Sequence, residues 1–119
     1  MKYIRLAIVG GREFSDYDLL KTSIAQLQQS RVILQVVSGG ARGADSLGER
    51  WADENGIPKR IFPAQWDKYG KRAGFLRNKD IVKNCDEVIA FWDGHSRGTA
   101  DTIATARAEG KKVTIVYFR

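Results

Sequence analysis

The sequence predicts one α/β domain, residues 1–119, built on a five-stranded, mostly parallel β-sheet with helices on both faces. Short β-branched apolar runs alternate with segments of helical periodicity in the order βαβαβαβαβ. Such alternation is typical of parallel strands joined by right-handed helical crossovers. Most of the twelve glycines lie in loops that directly follow predicted strands. Ligands of open α/β sheets lie beyond these carboxyl ends, so the glycines place the predicted site there.

The predicted elements begin with a buried strand at 3–9, an apolar run that only Arg5 interrupts. Ser15 and Asp18 resemble a capping box and predict the start of the first helix. The long connection at 63–74 contains two aromatic residues and is expected to form a semi-ordered segment over the site. The other predicted elements are a strand at 32–37, a helix from 44 that ends at Gly56, a short strand at 59–62, a helix at 75–84, a strand at 87–92, a helix at 99–109 and a strand at 113–118.

The charge, the apolar runs and the cysteine count of the chain limit which partners and which cellular location we expect. The formal net charge of +6 indicates a polyanion such as a nucleotide, RNA or DNA, although solubility alone also accounts for a basic surface. Arg12, Arg42 and Arg97 lie inside glycine-rich loops, a placement that solubility does not require. No apolar run approaches the roughly twenty residues of a membrane span, so we expect no membrane partner. The lone Cys85 excludes an internal disulfide, and we expect an inert thiol in a cytoplasmic protein.

The loop after the second predicted strand has the composition of a phosphate cradle. Three of its residues lack a Cβ and let the backbone come close to a bound group: Gly39, Gly40 and Gly43. Ser38 and Arg42 add a hydroxyl and a positive charge. The loop is neither a Walker A loop nor a complete G-x-G-x-x-G fingerprint, which argues against an ATPase or an ordinary dehydrogenase. A tight turn whose Asp45 favours the helix dipole is the equal alternative.

The loops after the first and fourth strands repeat this pattern. If strands one, two and four are neighbours, the helix N-termini that follow them converge on one crevice. His95 either binds phosphate or moves a proton, or is a solvated polar residue. These two loops supply the candidate ligand-binding residues Gly10, Gly11, Arg12, Asp93, Gly94, His95, Ser96, Arg97, Gly98 and Thr99.

Aromatic and polar residues elsewhere extend the candidate site. Arg77 and Asn78, near the start of the third main helix, are positioned to reach the crevice, although an exposed helical arginine is the ordinary alternative. Phe14 either packs as a hydrophobic staple or stacks on a base. Trp66 and Trp92 lie beside loops and are candidates for stacking on a base.

These motifs together resemble one known group. They are the Gly-Gly-Arg-Glu-Phe loop, the 38–45 loop, Phe-Pro-Ala-Gln-Trp at 62–66, Gly-Phe-Leu-Arg-Asn at 74–78 and Gly-His-Ser-Arg-Gly-Thr at 94–99. They are similar to the SLOG superfamily, in particular its YspA-like branch, over nearly the whole chain. The resemblance implies a Rossmann-like nucleotide-binding fold that often forms homo-oligomers.

Two branches of that superfamily imply different activities. The LOG phosphoribohydrolases carry an arginine matched by Arg77 and a Gly-Thr matched at 98–99, but Thr102 occupies the position of their glutamate. Asp101 lies one residue away, about 100° around a helix. The DNA-processing DprA branch, which binds single-stranded DNA, has a loop similar to 38–45.

We therefore expect a domain that binds a nucleotide or an ADP-ribose-like ligand, either as a sensor or as an N-glycosidic hydrolase. The candidate catalytic residues are Glu13, Asp45, Asp93 and Arg77. A single-stranded nucleic-acid module is the alternative, suited to the positive charge. No metal-ligand set stands out and no cofactor is identified, while participation of Mg²⁺ stays open.

Overall fold

The computed structural model describes all residues, Met1–Arg119, and contains one sheet of five parallel strands. The strands are β1 (Lys2–Gly10), β2 (Arg31–Ser38), β3 (Lys59–Ile61), β4 (Glu87–Trp92) and β5 (Lys112–Tyr117). Their order is β3-β2-β1-β4-β5. The chain moves outward from β1 to β3 and then returns to β4 on the other side of β1, which creates a topological switch point between β1 and β4. The predicted α/β fold is confirmed, and every strand pair is parallel.

Helices cover both faces of the sheet. They are α1 (Tyr17–Leu27), α2 (Ala44–Glu54), the four-residue α3 (Trp66–Tyr69), α4 (Ala73–Lys83) and α5 (Arg97–Ala108), with a 3₁₀ turn at Gly70–Arg72. Alternate residues of β1 face opposite layers, as the twofold period of a strand requires. Ile4, Leu6 and Ile8 pack with α1 and α2, whereas Ala7 and Val9 pack with α4 and α5.

The starts of three helices differ from the predicted ones. The N-cap of α1 is Asp16, not Ser15, because the Asp16 carboxylate accepts a hydrogen bond from the Leu19 amide at 3.0 Å. The connection at 63–74 is more ordered than expected, since it contains α3 and the 3₁₀ turn, and α4 already begins at Ala73. Helix α5 begins at Arg97, two residues before the predicted start.

Two further expectations concern Cys85 and the membrane. Cys85 is buried, and this burial raises the pKa of its thiol to about 11, so the thiol stays protonated at neutral pH. Trp51 belongs to the core and is 4% exposed. None of the helices combines the length and the apolar character that a crossing of the bilayer requires.

Candidate functional site

Two adjoining clefts lie at the carboxyl edge of the sheet. The inner cleft, of about 370 Å³, lies over the ends of β1 and β4, and the outer cleft, of about 360 Å³, lies beside the loop after β2. Both volumes fall in the range of small-molecule sites. Arg12, Ala41 and Arg77 line both clefts and form the border between them.

Most of the predicted site residues line one of the two clefts. Those in the inner cleft are Gly10, Gly11, Arg12, Glu13, Asp45, Arg77, Asn78, Asp93, Ser96, Gly98 and Thr99. Those found only in the outer cleft are Gly39, Gly40, Arg42 and Trp66. The predicted residues outside both are Ser38, Gly43, Gly94, His95 and Arg97.

Helices α2 and α5 both begin at the inner cleft. No side chain caps either N-terminus, and the amides of Gly98 and Thr99 donate to no acceptor within the chain. Unpaired amides and the positive end of the helix dipole favour an anion at such a position. Because β1 lies between β2 and β4, the helices that follow β2 and β4 bring two anion-attracting N-termini to one crevice.

The loops after β1 and β2 touch through their backbones at Gly43. The φ angle of Gly43 is +81°, and a Cβ on this residue would lie 2.3 Å from the carbonyl oxygen of Gly11. That carbonyl accepts a hydrogen bond from the Ala44 amide at 3.2 Å. Only glycine fits a left-handed position with backbone this close, so Gly43 shapes the site although it lines neither cleft.

Arg77 is held in place by its own hydrogen bonds. Its Nη1 donates to the Gly39 carbonyl at 2.7 Å, and its Nε donates to Asn78 Oδ1 at 3.0 Å. Gly39 makes room for it, because a Cβ there would lie 2.4 Å from Arg77 Nη1. Burial lowers the pKa of Arg77, which the nearby Asp45 carboxylate partly offsets. The guanidinium is therefore positioned at the border between the clefts before any ligand binds.

Asp45 is the buried carboxyl group of the inner cleft. It is 5% exposed, and its Oδ2 accepts a hydrogen bond from the Ala41 amide at 3.2 Å. Burial raises the pKa of Asp45 to about 6, against the opposing effects of the Ala41 amide and the Arg77 charge. A carboxyl group with this pKa exchanges its proton near neutral pH.

The other predicted carboxylates are already engaged. Asp93 Oδ1 accepts from the amides of Ser96 and His95, both at 2.8 Å, and these bonds lower the pKa of Asp93. Glu13 forms an exposed ion pair with Arg42 at 2.8 Å. Asp93 therefore braces the loop before α5, and Glu13 joins the first loop to the second.

Near the start of α5, the position that matches the glutamate of the LOG phosphoribohydrolases carries a hydroxyl group and not a carboxylate. Thr102 lines the inner cleft, and its Oγ1 donates to the Gly98 carbonyl at 3.2 Å. Asp101 points elsewhere, because its Oδ2 accepts from Asn78 Nδ2 at 3.1 Å. Asn78 also donates to the Gly98 carbonyl at 3.2 Å and so connects α4 to α5.

Several of the aromatic and polar residues suggested for contact with a ligand make contacts within the chain. Phe14 is 2% exposed and stacks on Phe91 at 4.7 Å between ring centroids, so it is not available to stack on a base. Trp92 lines neither cleft, and its indole donates to the Ser96 carbonyl at 3.1 Å. The hydroxyl of Ser38, fully buried, donates to Glu49 at 2.8 Å. The exposed His95 holds its loop through its amide.

Sequence reasoning missed five residues of the inner cleft. They are Val9, Ala41, Ile81, Thr102 and Phe118. Phe118 directly follows β5, so the rule that sites lie beyond the carboxyl ends of strands was a signal for it. Thr102 lies one turn into α5, which the helical period from Gly98 would have indicated. No cluster of three or more histidine, cysteine or acidic residues with metal-binding geometry is present.

Three comparisons with known proteins show what the chain is similar to. The profile of the YspA, cpYpsA-related SLOG family matches residues 4–69. The gene 61 protein of Mycobacterium phage D29 is 35% identical, over 89% of this chain and 90% of that protein. DNA processing protein A (DprA) from Streptococcus pneumoniae superposes with a TM-score of 0.74 at 23% identity over 95% of this chain. The chain spans 50% of the length of that DprA chain, and the likeness shows a shared fold.

Proposed function

The chain belongs to the YspA, cpYpsA-related SLOG family, whose members generally bind nucleotide-derived ligands, and we propose that its inner cleft binds the phosphate of such a ligand. One observation carries the proposal. The N-terminus of α5, where the amides of Gly98 and Thr99 are unpaired, and Arg12, which forms no ion pair, face one cleft. Free amides and an unneutralised guanidinium together match a phosphate group.

In this proposal the protein binds a nucleotide or an ADP-ribose-like molecule as a sensor and does not turn it over. Glu13 is paired with Arg42, Asp93 accepts two amides, and Asp101 is bonded to Asn78. None of these carboxylates is free to activate water. The cleft has the groups that hold an anion, and its carboxylates Glu13 and Asp93 are occupied by other contacts.

Hydrolysis of an N-glycosidic bond is a second candidate, which the raised pKa of Asp45 favours. In that reaction a water oxygen bonds to the ribose C1′ as the C–N bond breaks, and the base leaves with the bonding electron pair. Asp45 would take the proton from water, and the departing base would receive a proton in turn. Release of free base from a bound nucleotide, lost in Asp45→Asn, distinguishes turnover from sensing.

Thermal unfolding with AMP, ADP-ribose, NAD and a short single-stranded DNA tests the proposal. A ligand at a hundredfold excess over Kd stabilises the fold by about 2.7 kcal/mol. Arg12→Ala should weaken nucleotide binding about tenfold, because it removes a charge-assisted hydrogen bond. Arg107→Ala is the matched control, since Arg107 is exposed in the last turn of α5.

The same measurement separates the classes of ligand. The affinity of a mononucleotide site should depend weakly on salt. A nucleic-acid surface should lose affinity steeply as salt rises, because binding releases condensed counterions and that release becomes less favourable in concentrated salt. Stabilisation by the oligonucleotide alone, abolished by salt, would contradict a small-molecule site. An equal loss of affinity in Arg12→Ala and Arg107→Ala would place the anion elsewhere.

A further inference from the structure

We propose that the ligand has two ring-bearing parts joined by phosphates, one part in the inner cleft and the other against Trp66 in the outer cleft. This inference rests on the proposed function and names the class of ligand more closely. It follows from the shape of the surface, where two clefts of about 370 and 360 Å³ share one border. A single nucleotide fills one such cleft and leaves the other open to solvent.

The border between the clefts is where the positive charge is concentrated. Arg12 and Arg77 line both clefts, and neither forms an ion pair with a carboxylate of the chain. Arg77 keeps its position through bonds to the Gly39 carbonyl and to Asn78, so its charge is not neutralised by those contacts. Phosphates that link two halves of a ligand would lie between these two guanidinium groups, with a charge-assisted hydrogen bond available from each.

The far wall of the outer cleft is an aromatic ring that the fold does not use. Trp66 is 49% exposed, and its indole N–H donates to no group of the chain, whereas the indole of Trp92 donates to the Ser96 carbonyl. Gly74 packs against the ring, because a Cβ there would lie 3.3 Å from Trp66 Cη2. Pro63 and Ala64 complete an apolar surface beside it. An exposed indole next to an arginine is a platform for a planar base.

The two clefts differ in what they offer. The inner cleft supplies helix N-termini, hydroxyls and Asn78, which suit a phosphate and a ribose. The outer cleft supplies an indole, a proline and glycine backbone, which suit the flat face of a ring. A dinucleoside diphosphate matches this sequence of surfaces. One phosphate and its ribose would lie in the inner cleft, the second phosphate at the border, and the second base on Trp66.

Titration calorimetry on the full chain tests the inference with two sets of probes. The first set is the four common nucleoside 5′-monophosphates, and the second is the corresponding symmetrical dinucleoside diphosphates. We expect a dinucleoside diphosphate to bind at least tenfold more tightly than its mononucleotide. Trp66→Ala should weaken the two-ring probe about tenfold and change the affinity of the mononucleotide less than twofold. Trp66→Phe should recover most of the loss.

Phe75→Ala is the matched control, because Phe75 is an exposed aromatic on α4, 46% accessible, that lines neither cleft. Equal affinity for both probe sets, or an equal effect of Trp66→Ala on both, overturns the two-part ligand while nucleotide binding itself stands. Absence of binding by every probe overturns this inference and the proposed function together.

Discussion

The two ends of the sheet use their charged residues in opposite ways. Near the amino ends of the strands, Arg31 donates to the buried Glu87 at 2.6 Å, and Arg5 bonds to Asp86 at 2.9 Å. The Arg5 amide also donates to Asp86 at 2.8 Å. At this edge both arginines are paired with carboxylates.

The carboxyl edge leaves its charges unpaired. Arg12 forms no ion pair, and Arg77 donates only to a carbonyl and to an amide oxygen. The one ion pair there, between Glu13 and Arg42, is exposed at both side chains and worth little. The comparison teaches that net charge alone is a poor guide to function, since what matters is where the chain leaves its cations without partners.

The largest effect is expected at the amino edge. Glu87→Gln removes the charge opposite Arg31, whose side chain is only 14% exposed, and leaves that cation buried without a counterion. We expect the free energy of unfolding to fall by about 3 kcal/mol, because breaking a buried pair is costly. Urea denaturation measures the loss.

Nucleotide affinity should not change in Glu87→Gln, provided that it is measured where the variant is folded. Adding Arg31→Met to the variant should recover part of the stability, since the orphaned charge is then removed. A drop in affinity in Glu87→Gln would show that the two edges of the sheet are coupled and do not use their charges independently.

The next largest effect is expected at the carboxyl edge, where Asp45→Asn should raise the free energy of unfolding. Folding raises the pKa of Asp45 to about 6, so the folded chain binds more protons than the unfolded chain between about pH 4 and 6. The unfolding free energy should therefore fall as the pH rises through this window. Asp45→Asn should remove this dependence and stabilise the fold at pH 7.5 by about 2 kcal/mol.

Denaturation curves from pH 4 to 7.5 give the comparison. Asp18→Asn is the control, because the Asp18 carboxylate is 92% exposed. If Asp45→Asn destabilises the chain at pH 7.5, the hydrogen bond from Ala41 matters more than the burial of charge.

The smallest effect concerns the position of Arg77. Gly39→Ala places a methyl group 2.4 Å from Arg77 Nη1 and 2.8 Å from Asp45 Oδ2, so the guanidinium must move. We expect about a tenfold loss of nucleotide affinity, similar to that of Arg77→Ala. The double variant should lose no more than Arg77→Ala alone, because both changes act on one contact. Additive losses in calorimetry would mean that Gly39 contributes in another way.

The sequence contained most of the information on the fold and on the location of the site. Alternating apolar runs predicted the five strands, and the rule for the carboxyl ends of strands predicted that the first, second and fourth loops meet. These signals are local or topological. They need no knowledge of how side chains pack.

The details that the sequence could not supply depend on packing between distant residues. The burial of Phe14 requires Phe91 and Phe118 to surround it, and the engagement of Ser38 requires Glu49 to lie above it on α2. The order within 63–74 depends on contacts such as that of Gly74 with Trp66. Each depends on tertiary context, which periodicity does not encode.

The carbonyl of Gly11 accepts hydrogen bonds from both the Phe14 amide and the Ala44 amide, each at 3.2 Å. The loop after β1 and the first turn of α2 therefore share one acceptor and cannot be exchanged separately. Anyone who transplants this cleft onto another scaffold has to carry both segments together. For the same reason, recombination between homologues should preserve binding only when both segments come from the same parent.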